Sequence, residues 1–183
     1  MNQISNTALL VMDMQTPIVK MVPESEQFIK KVAQAIAIAR ERKIPVFFIR
    51  VGFRAGSPEI SPNNKGFSAS KERFAGMGTQ WMEFHPEVAA LAEDITITKR
   101  RVSAFTGSDL EVVLRGQEIQ HIILTGIATS GVVLSTLREA ADKDYQITVL
   151  SDCCADRDEE VHRVLTTKVF PGQADVLTLK EWK

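Results

Sequence analysis

The sequence is poor in most features that mark specialised classes of protein. Its 183 residues include 2 cysteines, adjacent at Cys153 and Cys154, too few for a disulfide framework. Neighbouring cysteines bridge only with strain, so two thiols in a reducing compartment are expected. No charge of one sign dominates: 22 Lys and Arg against 23 Asp and Glu leave a net charge of −1. That removes the electrostatic footprint of a nucleic-acid or anionic-membrane binder. Long apolar runs are missing as well, since Ala8–Met12 is about a quarter of a membrane-spanning helix. The polar stretch Met1–Thr7 lacks the positive region of a signal peptide, so a cytoplasmic location is expected. What remains is ordinary for a folded chain, 44% hydrophobic and 25% charged, of a length that suits one domain over residues 1–183.

Short β-rich runs alternate with longer helical patterns. The strand candidates are Ala8–Met12, Pro45–Val51, Ile95–Thr98, Ile122–Leu124, Ile147–Leu150 and the weaker Asp175–Thr178. Runs apolar on both faces belong in a parallel sheet covered by helices. Between them, Phe28, Val32, Ala35, Ile36 and Ala39 form a helical stripe that Ser25 can cap. Ser108 and Glu111 read as a capping box, and Asp156 and Glu159 as another cap. Ser130–Asp142 carries Val133, Leu137, Ala140 and Ala141 on one face. Strand and helix alternating in this way predict an α/β fold with right-handed crossovers. Gly52–Phe84 breaks the alternation, with five of the ten glycines and the aromatics Phe53, Phe67, Phe74, Trp81 and Phe84. It reads as a lid or pocket wall, or as an excursion packed on its own aromatics or on a second subunit.

Ligands of open parallel sheets bind beyond the carboxyl ends of the strands. Asp13, Arg50, Arg54, Lys99, Thr125–Ser130 and Asp152 lie there. Asp13 and Lys99 fit a general acid/base pair, or a loop cap and a solvated cation. The turn Thr125–Gly131 joins a strand to a helix through small residues, and its backbone N–H groups could hold an anion or an oxyanion. It has neither the P-loop nor the dinucleotide spacing.

Leu10–Gln15 containing Asp13, Thr98-Lys99 followed by Ser103-Ala104-Phe105, and Gly126-Ile127-Ala128-Thr129 opening a helix together resemble the isochorismatase-like hydrolase superfamily. Nicotinamidases and N-carbamoylsarcosine amidases are members. The likeness runs in order from about Thr7 to Thr178, and Ser151-Asp152 with Glu160-x-His162 also fits it. The resemblance implies a Rossmann-like three-layer sandwich with a six-stranded parallel sheet in the order 3-2-1-4-5-6 and helices on both faces. It implies catalytic Asp13 and Lys99, a non-proline cis peptide at Ile127-Ala128, and an oxyanion turn completed by Gly131. It places the family's nucleophilic cysteine at Val132, which cannot act as one. Ser130, Cys153 and Cys154 are weak substitutes, Ser130 being a natural helix cap and a buried cysteine an inert hydrophobe.

A second chemistry in the same superfamily dispenses with the thiol. True isochorismatases hydrolyse a vinyl ether with an aspartic acid as proton donor, a route that needs a carboxyl kept protonated by burial. The pair Asp13 and Lys99 beside Val132 fits that route better than amide hydrolysis. The alternatives are a catalytically silent ligand-binding or assembly module and an amidase with an unusual nucleophile. The resemblance further implies a pocket drawing on Ile18 and Phe105, with Asn64, Phe67 and Trp81 as candidate contacts; packing is an equal reading for these three, and core packing for Phe105. Arg54, Arg73 and Lys65 could meet substrate carboxylates but read more simply as surface charge. His85, His121 and His162 match no metal spacing, so no metal and no cofactor is expected. The expected partner is a small-molecule substrate, with no nucleic acid and no membrane, in a homodimer or homotetramer.

Overall fold

The computed structural model describes residues 6–23, 25–88 and 90–183. Six parallel strands form one sheet: β1 (Thr7–Met12), β2 (Val46–Val51), β3 (Ile95–Lys99), β4 (His121–Ile127), β5 (Gln146–Ala155) and β6 (Asp175–Leu177). Their order is β3-β2-β1-β4-β5-β6, as expected. The helices are α1 (Thr16–Val19), α2 (Ser25–Glu41), α3 (Lys65–Ser68), α4 (Lys71–Gly76), α5 (Leu110–Gly116), α6 (Leu134–Asp142), α7 (Glu159–Val164) and α8 (Leu179–Trp182).

The continuous apolar reading of β1 has a direct cause. Ala8, Leu10 and Met12 point into a core shared with Leu110 and Leu114 of α5 and with Leu137 and Ala140 of α6. Leu9 and Val11 point the other way, into a core with Phe28, Val32, Ala35 and Ile36 of α2 and Leu179 of α8. Alternate side chains thus enter opposite layers, and neither face of the central strand meets water.

Residues 52–84 are not an unstructured excursion. They hold α3, α4 and a 3-10 turn at Gln80–Met82, gathered around Val51, Phe53, Ile60 and Trp81. These helices are too short for a helical period to show in the sequence.

Three capping expectations are corrected. Ser108 does not form a capping box with Glu111, because the Ser108 hydroxyl donates to Ala104 O at 2.6 Å and Glu111 pairs with Lys143 at 2.7 Å. Asp158, not Asp156, caps α7, accepting from the N–H groups of Glu160 and Val161. Ser130 caps nothing: it lies in a wide turn at Thr129–Val133 that precedes α6. Strand β5 also runs past Leu150 to Ala155, pairing Cys154 and Ala155 with Gly126 and Ile127 beyond an irregularity between Leu124 and Gly126. Ser151 and Asp152 therefore lie within the strand rather than after it.

At Gly126 the chain admits no other residue. Its φ is +125°, and a Cβ there would stand 2.0 Å from the carbonyl oxygen of Met12. This close approach seats the end of β4 directly against the end of β1, where Asp13 follows.

Candidate active site

Asp13 leaves β1 with a φ of +54°, its N–H bonded to Ile49 O at 2.8 Å. Lys99 is the last residue of β3 and pairs in register with Val51 of β2. From these two strand ends the side chains meet, Lys99 Nζ lying 2.9 Å from Asp13 Oδ2. Both are buried, Asp13 at 6% and Lys99 at 2% exposure. The ammonium also donates to the carbonyls of Arg101 at 3.0 Å and Val102 at 3.1 Å, so its three protons are spoken for. Asp13 Oδ1 is buried with no hydrogen-bond partner among the described residues. Burial pushes the Asp13 carboxyl above its ordinary value of 3.8, the nearby Lys99 opposing that only in part.

The turn after β4 closes the other side. The Ile127-Ala128 peptide is cis, as the resemblance implied. Gly131 adopts a non-helical φ/ψ of −99°/−105°, and its N–H is given to Ala128 O at 3.0 Å. The Ser130 N–H is given to Asp156 Oδ2 at 2.7 Å. These two N–H groups are therefore engaged within the turn. Val132 is buried in the core that also holds Met12 and Phe105.

The sequence did not single out the residues that hold this turn and its surroundings. The Thr129 hydroxyl is 2.8 Å from His162 Nδ1 on α7, and burial lowers the His162 pKa below 6.5. Gln15 is fully buried; its amide donates to Val51 O and Trp81 O and accepts from the Val51 N–H. The one hint was position: Gln15 stands two residues beyond Asp13, and His162 sits in the Glu-x-His triplet.

The other expected residues are distributed as follows. Ile18 is half-buried and packs between the α2-side core and the aromatic segment. Asn64 caps α3, its side-chain oxygen accepting from Phe67 N at 3.1 Å. Phe67 stands edge-on to Phe53, with centroids 5.4 Å apart. Trp81 stacks on Phe74 at 4.7 Å. Phe105 is buried in the β1–α5–α6 core against Tyr145, centroids 5.9 Å apart. Arg54 is held by Glu59 at 2.7 Å. Cys153 and Cys154 are buried; burial pushes the Cys153 thiol up to about 12 and holds Cys154 well above its usual range. Neither can act as a ready thiolate. Among the described residues no helix is long and apolar enough to cross a membrane, and no three His, Cys, Asp or Glu residues gather as a metal-binding group.

Comparison with known proteins places this geometry. The isochorismatase domain family matches residues 7–181. The isochorismatase family protein YwoC of Bacillus subtilis is 31% identical over 96% of this chain and 92% of its own length. The ureidoacrylate amidohydrolase RutB of Variovorax paradoxus is 32% identical over 81% of this chain and 68% of its own. The crystal structure of an isochorismatase family protein from Burkholderia thailandensis superposes with a TM-score of 0.84 at 30% identity, over 96% of this chain and 93% of that one.

Proposed function

This chain belongs to the isochorismatase family, and from that premise we propose that it hydrolyses a small organic substrate through Asp13 and Lys99, with no covalent enzyme intermediate. The observation that carries this reading is the buried pair at 2.9 Å with Asp13 Oδ1 left over. A carboxyl raised by burial is suited to give up a proton as a general acid. On a vinyl ether, Asp13 delivers its proton to the enol carbon and the oxygen-bearing carbon becomes oxocarbenium-like. Water adds there, and the proton it loses restores the carboxyl. The hemiketal then opens to a ketone and releases the alcohol. Lys99, fixed by the carbonyls of Arg101 and Val102, holds the carboxylate in place once the proton has gone.

Val132 supplies no nucleophile, and the two thiols are buried and protonated, which is why a route through water is preferred to a thioester. Amide hydrolysis is the second reading, favoured by the 32% identity to a ureidoacrylate amidohydrolase; it requires a nucleophile other than those thiols.

The test is an assay of purified protein on small vinyl ethers and small amides, with Asp13→Asn beside the wild type. Vinyl ethers are expected to turn over faster than amides, and Asp13→Asn to lose about 100-fold or more. Activity unchanged in Asp13→Asn removes the role given to Asp13. Saturable binding without any turnover replaces the enzyme with a silent ligand-binding module.

A further inference from the structure

A cavity of about 250 Å³ opens in the segment after β2, lined by Phe53, Arg54, Ser57, Phe74, Trp81 and Met82 among others. Its size, slightly below that of pockets for drug-sized ligands, suits a single ring. Its lining does not include Asp13 or Lys99, although Gly52, beside Phe53, links to the end of β3. Gly52 N donates to Lys99 O at 3.1 Å, and Met82 Sδ fills the space where a Cβ on Gly52 would stand.

The cavity has three chemical features. One wall is a run of rings: Trp81 lies at 23° to Phe74 and at 29° to Phe53, with centroids 4.7 Å and 6.2 Å apart. A flat ring continues such a stack. Ser57, only 4% exposed, also lines the cavity. The Arg54 guanidinium stands at the mouth; the Glu59 carboxylate beside it is shared with Arg100, at 2.7 Å and 3.5 Å respectively. Two cations against one anion leave a positive charge in excess, and the open edge of Arg54 can still grip a carboxylate.

We propose that this cavity is a second ligand site, separate from the Asp13–Lys99 pair, for a small aromatic carboxylate. The ring lies on the Phe53–Trp81–Phe74 stack, and the carboxylate accepts from Arg54 and from the Ser57 hydroxyl. The inference does not depend on the chain being a hydrolase, since nothing in it draws on turnover.

Benzoate is the probe. The chain has 2 tryptophans, so in Trp182→Phe the emission reports on Trp81 alone. Benzoate is expected to change that emission saturably, and benzamide and cyclohexanecarboxylate to bind more weakly. Adding Arg54→Gln is expected to weaken benzoate about tenfold while leaving benzamide nearly unchanged. A co-crystal with wild-type protein is expected to show benzoate against Trp81. Emission that changes only linearly with benzoate overturns the proposal, as does equal affinity in Arg54→Gln. Benzoate found at Asp13 in the crystal overturns it too.

Discussion

Lys99 Nζ sits 2.9 Å from one oxygen of Asp13, while the other is buried with no hydrogen-bond partner among the described residues. Burial penalises the charge of such a carboxylate, and Lys99 with the Val51 backbone offsets that only in part. Both its protonation and its removal should therefore be felt by the whole fold.

Removal of the acid strands an ammonium in the core. Breaking a buried pair from one side costs about 3–5 kcal/mol. The carbonyls of Arg101 and Val102 remain for Lys99, so Asp13→Asn is expected near the lower end. Adding Lys99→Met should recover part of the loss. Urea unfolding of wild type, both single variants and the double variant measures the coupling.

Protonation of the same acid has a definite sign. The folded-state pKa of Asp13 is raised above 3.8, so between the two values the folded chain binds more protons than the unfolded one. Its contribution to stability is present below 3.8 and lost as pH rises through the folded value. Wild type should therefore lose stability relative to Asp13→Asn as pH rises through that window, read from paired urea titrations. A flat difference counts against burial as the dominant influence on Asp13.

Two half-buried histidines act in the opposite direction. Burial lowers the pKa of both His162 and His121 from 6.5, against Asp156 and Glu159 for the first and Asp175 for the second. The unfolded chain then binds more protons between the folded values and 6.5, so stability is full above 6.5 and falls as pH drops through the folded values. His162→Gln should flatten part of that slope, and its effect should add to that of His121→Gln.

Gly126→Ala is expected not to yield a native fold. The new methyl carbon would stand 2.0 Å from Met12 O at a φ of +125°, a backbone clash with no flexible atom to give way. A cost of about 4 kcal/mol or more follows, visible as loss of soluble protein or of the unfolding transition.

Val132→Cys should fold well, since it trades one small apolar side chain for another at a cost below about 1.5 kcal/mol. If the remaining machinery supports acyl transfer, hydrolysis of small amides should appear that iodoacetamide abolishes. The native thiols offer a control: with Cys153 pushed up to about 12 and Cys154 raised as well, alkylation of folded wild type should be slow.

The parallel α/β architecture was legible in doubly apolar strands alternating with helices, whereas the strand order and the joining of Asp13 and Lys99 in one site were implied only by the family resemblance of the motifs that carry them. What stayed hidden depended on side chains choosing among near-equal local partners. Asp156 looked like a helix cap but bonds the Ser130 N–H across to the β4 turn, while Asp158, two residues on, caps α7. Glu111 left its capping box for Lys143. The continuation of β5 to Ala155 follows a register irregularity, and no alternation of residues announces one. Phe105 was readable as pocket or core, and its packing on Tyr145 is a contact that no sequence spacing announces.

The Gln15 amide grips the backbone of Val51 and of Trp81 at once, from a position two residues along from Asp13. The ring-lined segment is therefore bolted to the same short strip of chain that presents the acid. Gln15 thus ties the two compartments to one side chain. Gln15→Leu, of similar bulk but unable to bond either carbonyl, would uncouple them.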